Sequence, residues 1–566
     1  MKFDQNYIWI TLLASVFFIP FIGDAHLFDW DEINFAECSR EMLVTGDYLL
    51  PQINFSPFWE KPPLFIWLQT LSMHIFGVNE FAARLPNALC GIVTLNSIYF
   101  LGKKLYDSAF GWWWVLAYIG SFLPHLYFKS GIIDPWFNLF IFGALVFLFK
   151  NKDDFQLSKS SKLLESSVEK PSIFTTYLLL AGICAGLAIL TKGPVGFLIV
   201  TLTWFIKNAL YPSVSTRYAA RKFATTIAFF KQYIGFSLIT LAVASLWFGL
   251  ITIKNGFWFL NTFIEYNIRL AKTEDAGHGG FVGYHFIVLF FGCFPASIFA
   301  VQSLFRRYNF MGEKVDFTRL MKVLFWVVLL VFSLVQSKIV HYSSMCYLPL
   351  TFLSALTLKR YVEEKRISGF TKFTIPTIGI LLGLVVAILP IVGQNIDLIK
   401  PLFQKDIFAL KNLEATISWQ TGQIFVGLGY VLALIMSFFY LKKLEILRGG
   451  VLLFVATAIF LNVALIVFIN KIEGYSQNAA ITFYKAHAQE DCYILTYDYK
   501  SYAHFFYAQK GHMNNAKNTD NQWLISGDVD KPTYIVGKYP SKSELDLLPQ
   551  LEFLYARNGF VFYRRK

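Results

Sequence analysis

The sequence predicts an α-helical polytopic membrane protein of about thirteen spans with a small α/β domain at its C-terminal end. Three observations lead there. The 566 residues are 55% hydrophobic and 18% aromatic but only 15% charged, where soluble domains carry roughly 25% charge. Apolar runs near the ~20 residues that cross a bilayer recur along the chain. Only beyond residue 470 does the pattern turn to polar residues alternating with Tyr, Phe, Ile and Val. Disorder, a collagen-like repeat and a small disulfide scaffold are excluded by the same numbers.

The run from Tyr7 to Ile22 has only Lys2 before it and no small-x-small cleavage site ahead of Asp24, so it reads as a retained first span. Further spans begin near Asn87, Phe110, Pro135, Ile173, Pro194, Ile234, Tyr284, Val323, Met345, Thr374, Thr421 and Val451. With Met1 in the cytoplasm, Lys and Arg gather in alternate loops, and Lys103, Lys104, Arg306, Arg307, Lys359 and Arg360 fall just past span ends. The positive-inside rule then sets the orientation, and anionic lipid headgroups account for the net charge of +13 without nucleic acid.

Two outward segments are long enough to fold, 24–86 and 470–566. In the first, a helix is expected from Asp31 to Thr45, stopped by Gly46. A second starts at Pro62 and Pro63 and stops at Gly77; PPLFIWLQTLSMHIF is short for a span and too apolar to be solvated, so it belongs in the membrane interface. Residues 151–172, rich in Lys and Ser, read as a flexible cytoplasmic loop. In the tail, ILTYDY, PTYIVGKY and LEFLYARNGFVFYRR read as short strands. The chain thus divides into a membrane part, 1–469, and an outward soluble domain, 470–566. The six cysteines are scattered, with no Cys-x-x-Cys pair, which points to neither a zinc ribbon nor a disulfide framework.

Chemistry is read from charge on the outward side. Asp31 and Glu32 open a helix whose free amides favour carboxylates, which is also their ordinary explanation as an acidic first turn. Asp134 in FKSGIIDPWF and Lys192 in AILTKGPVGF lie at membrane depth, where a charge costs ~2.5 to 3.5 kcal/mol on insertion scales and marks a functional candidate; the plainer alternative is an interfacial anchor. Lys338 in VQSKIVHYSS and Arg269 in EYNIRLAKTED fall on the same side. Lys61, Lys192, Arg269 and Lys338 beside Asp31 and Asp134 suit a departing lipid-linked phosphate, with a carboxylate to take a proton from an incoming hydroxyl. Glu60, His278 and His341 are outward residues able to ligate a divalent cation, but no fixed-spacing motif joins them. Trp112 to Trp114, Trp247 and Trp258 read as interfacial belts. GICAG, Gly182 to Gly186, reads as a close helix contact.

The stretch DEINFAECSREMLVTGDYLLPQINFSPFWEKPPLFIW, with IIDPWFNLF, LTKGPVGF, the Arg269 segment and SKIVHYSSMCYLP, resembles the bacterial polyprenyl-phosphate-dependent glycosyltransferases, the lipid A aminoarabinose transferases and their protein O-mannosyltransferase relatives. The resemblance covers roughly residues 7–360. It implies a GT-C fold in the bacterial inner membrane, with active site and tail domain facing the periplasm. It further implies transfer of one sugar from an undecaprenyl-phosphate carrier to an acceptor on lipid A, protein or another envelope glycan, by inverting displacement. No nucleotide sugar is expected, and no Gly-rich nucleotide loop is present. Asp31 and Asp134 match the family's acidic catalytic positions; Lys61, Lys192, Arg269 and Tyr342 match positions that hold the donor phosphate, with Lys338 beside them. Glu32, Arg40 and His341 are placed at the acceptor or behind the site. Glu60 and His278 are the candidates for a metal, with no cofactor required. Two departures stand out: Asn34 replaces an Arg common in relatives, and Lys338-Ile339-Val340-His341-Tyr342 lacks their stiffening proline. A lipid-linked sugar transporter is the alternative; it predicts inverted repeats and broken mid-membrane helices, and the sequence shows no such symmetry.

Overall fold

The computed structural model describes residues 4–161, 175–211, 219–273, 279–307, 312–488, 490–512, 515 and 517–566. The chain enters through α1 (Asn6–Phe18) and α2 (Asp31–Thr45). A two-residue hairpin, β1 (Gln52–Ile53) and β2 (Ser56–Pro57), precedes α3 (Leu64–Phe76) and α4 (Glu80–Leu105). Gly46 ends α2 at φ +71°, a left-handed position that a side chain resists, and returns its N–H to the Met42 carbonyl. Pro63 and Gly77 bracket α3, which buries Phe65, Ile66, Gln69, Thr70 and Met73 and leaves Leu71, Ile75 and Phe76 exposed. A short helix with one apolar face outward suits the interface position read from its sequence.

The helical body continues with α5 (Ser108–Ile119), α6 (Phe122–Leu126), α7 (Asp134–Ser161), α8 (Thr176–Lys192), α9 (Val195–Leu210) and α10 (Ala219–Asn255). Next come α11 (Phe257–Lys272), α12 (Tyr284–Gly292), α13 (Ala296–Phe305), α14 (Glu313–Leu334) and α15 (Tyr347–Glu364), then α16 (Gly369–Gln394), α17 (Ile407–Asn412), α18 (Ile424–Lys442) and α19 (Ile446–Glu473). Within the described residues the apolar runs picked out in the sequence fall on helices; the start of the run from Ile173 lies outside them. Among the described residues six helices are long and apolar enough to cross a membrane, seven if Phe122–Lys129 and Asp134–Asn151, bent by 115° at their junction, form one broken span. Others, such as Thr176–Lys192 and Val195–Leu210, are apolar but shorter.

One element differs from expectation. α7 runs on to Ser161, so the loop expected over 151–172 does not begin at 151; no Gly or Pro interrupts KNKDDFQLSKSS, and Lys, Gln and Leu are good helix formers. The rest of that segment lies outside the described residues. Trp113, Trp114 and Trp247 are buried, while Trp258 is half exposed.

Small residues set the closest helix approaches. A Cβ added at Gly182 would meet Ile239 of α10 at 2.6 Å, and one at Gly186 would meet Val243 at 2.5 Å, so the GICAG face is what lets α8 lie against α10.

Beyond α19 the tail folds as α20 (Asn478–Ala486) and a four-stranded sheet, in spatial order β3 (Tyr493–Tyr497), β4 (Thr533–Lys538), β6 (Phe560–Arg565), β5 (Leu551–Arg557). β3 pairs parallel with β4 and the other pairings are antiparallel. α21 (Ala503–Ala508) follows β3. The boundary set at 470 falls within α19, which continues to Glu473. The domain is bolted to the segment before α2. Leu27 donates its N–H to the Tyr507 hydroxyl at 2.7 Å, Gln477 donates to the Leu27 carbonyl at 2.6 Å, and His26 meets Glu473 at 3.0 Å.

Gly186→Leu should push α8 from α10 and lower the apparent melting temperature in detergent, since overpacking costs about 1–3 kcal/mol. Gly429→Leu, at a position with open space around it, serves as the comparison and should leave melting unchanged. Equal melting of the two variants contradicts the packing role.

Candidate active site

The site is assembled at three helix ends. Asp31 is the first residue of α2, after Trp30 at φ +73° turns the chain into the helix. Its neighbour Glu32 is buried. Glu32 accepts from Arg84 Nε at 2.9 Å and Nη2 at 2.7 Å, from the Phe28 N–H at 2.8 Å and from the Gly131 N–H. Arg84 also donates to the carbonyls of Ile22, Ala25 and His26 at 2.8–2.9 Å. One carboxylate thus ties the start of α2 to α4 and to the loop before α7. Asn87 holds that loop from α4, donating to Ser130 O at 2.7 Å and Ile132 O at 2.6 Å, and Asp134 opens α7 immediately afterwards.

Asp134 Oδ1 accepts from Lys192 Nζ, the last residue of α8, at 2.6 Å. His341 stands between the two aspartates, its Nε2 3.1 Å from Asp31 Oδ2 and 3.8 Å from Asp134 Oδ2. That second Asp134 oxygen is buried without a hydrogen-bond partner among the described residues, an acceptor still to be satisfied. Lys192 Nζ also lies 5.0 Å from the Tyr342 ring centroid, within cation–π range. On a further wall, Tyr266 of α11 is a hub: it donates to Glu60 at 3.0 Å and accepts from Lys61 at 3.2 Å, and its ring lies 5.3 Å from the Arg269 guanidinium carbon.

These groups face one cavity of about 1200 Å³. Asp31, Asp134, Lys61, Lys192, Arg269, Tyr342, His341, Glu60 and Glu32 all line it. The wall changes character along its length: Pro194, Val195, Phe197 and Leu198 from the start of α9 and Val331, Phe332 and Val335 around the end of α14 make an apolar stretch. A second cavity, of about 380 Å³, shares Phe28, Ser130, Ile132 and His341 with the first and is otherwise mostly apolar.

Electrostatics follow from this packing. Burial pushes the Asp31 carboxyl up, but the His341 hydrogen bond and charge, with Lys61 and Lys192, outweigh it and hold the group at about 2. Asp31 is therefore a carboxylate throughout the neutral range. Burial draws the Lys61 ammonium below its usual value, against the pull of Glu60 and Asp31.

Two of the residues named from the sequence do not line the cavity. Lys338 turns back on the end of α14, donating to Ser333 O at 2.8 Å and to Val335 O, because a buried ammonium takes the carbonyls a helix end leaves open. Arg40 is enclosed within α2, donating to Glu37 at 2.7 and 2.6 Å with Glu41 nearby at 3.9 Å, and does not line the cavity. Glu32 is a clamp with its oxygens committed to Arg84 and backbone amides. Glu60 accepts from Tyr266, His278 lies outside the described residues, and among those described no three His, Cys, Asp or Glu side chains converge as a metal site needs. Tyr266 was not singled out in the sequence; the signal was its position three residues before Arg269 on one helix.

Comparison with known proteins bears on this arrangement. The family model described as dolichyl-phosphate-mannose-protein mannosyltransferase matches residues 60–159. Undecaprenyl phosphate-alpha-4-amino-4-deoxy-L-arabinose arabinosyl transferases are similar over much of the chain. The one from Photorhabdus laumondii is 26% identical over 353 residues, 61% of this chain and 58% of that one. The one from Wigglesworthia glossinidia brevipalpis is 26% identical over 367 residues, 63% and 60%. The chain resembles the GT-C polyprenyl-phosphate-dependent glycosyltransferases. Its matched part spans about 60% of the length of these curated relatives. The crystal structure of ArnT from Cupriavidus metallidurans bound to undecaprenyl phosphate superposes with a TM-score of 0.72 at 17% identity, covering 99% of this chain and 98% of that one. The fold is therefore shared along the whole chain, sheet domain included.

Infrared difference spectra, with Asp31→Asn as reference, should show the Asp31 carboxyl ionised down to about pH 3 and protonating only as pH falls through about 2. In His341→Gln the same group should protonate at higher pH, because burial is then less opposed. An unshifted titration contradicts the His341 contact.

Proposed function

We propose that this protein is an integral membrane glycosyltransferase that moves a single sugar from a polyprenyl-phosphate donor to an acceptor hydroxyl or phosphate of an envelope lipid, lipid A being the favoured acceptor. The observation that carries the reading is the single cavity that gathers Asp31 and Asp134 with Lys61, Lys192 and Arg269 of the membrane part and is also lined by apolar residues of α9 and α14. Such a cavity suits a ligand with a long apolar chain, a phosphate and a sugar in that order. The curated relatives, named as arabinosyl transferases acting with undecaprenyl phosphate, favour the same donor class.

In this reading the prenyl chain lies along α9 and the end of α14, and the phosphate is held by Lys61, Arg269 and Lys192 with Tyr342. The acceptor oxygen attacks the anomeric carbon from the face opposite the phosphate, its bond to carbon forming as the carbon–oxygen bond to phosphate breaks. The electron pair leaves on the polyprenyl phosphate, whose growing charge the cations neutralise. Asp31 orients the acceptor and takes its proton. A carboxylate held near 2 is a weak base, so the proton moves late, when the attacking oxygen is already acidified by bond formation. Asp134 fixes Lys192, and His341 holds Asp31. Phosphate leaves readily as an anion, so no general acid is required.

The topology belongs to the same proposal: about thirteen spans, residues 1–469 as the catalytic membrane part, and the site with the 470–566 domain on the periplasmic face of the bacterial inner membrane. The concentration of Lys and Arg on the opposite face supports it.

Asp31→Asn should lower transfer of sugar from undecaprenyl-phosphate-linked aminoarabinose by roughly 10²–10⁴-fold while donor binding persists. Lys61→Ala and Arg269→Ala should each weaken donor binding by roughly tenfold or more, as expected for loss of a charge-assisted contact to phosphate. Full transfer activity in Asp31→Asn contradicts the assignment.

A further inference from the structure

One basic residue of the cavity comes from outside the membrane part. Lys500 lies in the turn between β3 and α21 of the C-terminal domain, yet it lines the same cavity as Asp31 and Arg269. Its ammonium sits 5.6 Å from the Trp30 ring and 5.4 Å from the Tyr502 ring, and no carboxylate lies within ion-pair distance among the described residues. Trp30 is the residue immediately before Asp31, so the tail domain delivers a cation next to the carboxylate of the site.

The turn is built to hold it there. Asp498 takes φ +60° and accepts from Ser541 at 2.8 Å. Tyr502 and Phe505 pack against the cluster that contains Phe35 of α2. Together with the Leu27–Tyr507 bond, these contacts leave the turn little freedom to move away from α2.

The remaining cations are accounted for. Lys192 pairs with Asp134, while Lys61 and Arg269 gather on Tyr266, all from the membrane part that also supplies the apolar wall. Lys500 belongs instead with Phe28, Asp29 and Trp30, on the stretch that the second cavity shares at Phe28. An ammonium beside two aromatic rings, with no carboxylate in ion-pair range among the described residues, is a ready partner for an incoming anion.

We infer that Lys500 binds an anionic group of the acceptor, a phosphate or carboxylate, so that the C-terminal domain takes part in selecting the acceptor. The identity of the acceptor rests on the transferase reading; the contact itself does not. Lys500 is a positioning residue whose effect falls on acceptor affinity.

The test uses the full-length protein in detergent with two probes, diphosphoryl and monophosphoryl lipid A. Binding is measured without donor, and transfer with undecaprenyl-phosphate-linked aminoarabinose. Lys500→Ala should weaken diphosphoryl lipid A binding, and raise its KM, by roughly five- to tenfold, as for one charge-assisted contact, with the donor KM unmoved. Lys500→Arg should restore most of the loss, and the wild-type advantage should shrink as salt rises. If the contact is to the phosphate absent from monophosphoryl lipid A, the two proteins bind that lipid equally; if it is to the remaining one, the difference persists. Either result supports the inference. Equal diphosphoryl lipid A affinity for the wild type and Lys500→Ala, or a change confined to donor KM, overturns it. Lipid A binding that depends on Lys500 without any sugar transfer sinks the transferase reading and leaves the anion contact standing.

Discussion

The buried ion pair between Glu32 and Arg84 is the constraint on which the site depends. Arg84 fills its donors with Glu32 and three carbonyls of the chain before α2, and Glu32 fills its oxygens with Arg84, Phe28 N–H and Gly131 N–H. Segments far apart in sequence meet on one carboxylate. Because Asp31 precedes Glu32 directly and Asp134 follows Gly131 by three residues, the same pair sets where both aspartates stand. A buried pair adds little net stability over an apolar filling, but losing one partner typically costs 3–5 kcal/mol. Its value here is positional.

Within that frame most of the cavity's charged side chains are held by polar partners. Asp134 answers Lys192, His341 answers Asp31, and Tyr266 stands between Glu60 and Lys61. Arg269 and Lys500 rest against aromatic rings, without a carboxylate in ion-pair range among the described residues. An anion entering the cavity therefore meets cations already in place and needs little rearrangement to bind. The apolar wall of α9 and α14 next to these charges gives the cavity two solvents in one space, which fits a lipid-borne phosphate better than a soluble anion.

Much of this was legible in the sequence where local chemistry decides. Gly46 ends α2 because only glycine sits easily at φ +71°, and Pro63 and Gly77 bracket α3 for the same kind of reason. Within the described residues the apolar runs of the body became helices, and the alternating segments of the tail became strands. Asp31, Asp134, Lys61, Lys192 and Arg269 were recognised from their place on one side of a single topology and from the family pattern, and they share one cavity. What could not be read was direction. Lys338 and Arg40 carry the right charge, but each found nearer partners, carbonyls at a helix end and a glutamate one turn away. Tyr266 and Arg84 do their work through contacts across the fold that no local spacing announces, and Lys500 reaches the cavity only because a separate domain docks on α2.

The central claim is that a lipid-linked phosphate is gripped by the cations of this one cavity with its sugar toward Asp31. A structure of the protein with undecaprenyl phosphate bound tests it most directly. The account predicts the phosphate within hydrogen-bond reach, about 2.7–3.2 Å, of Lys61 or Arg269, with the prenyl chain along α9. A phosphate seated in the smaller neighbouring cavity, or away from all three membrane-part cations, contradicts it.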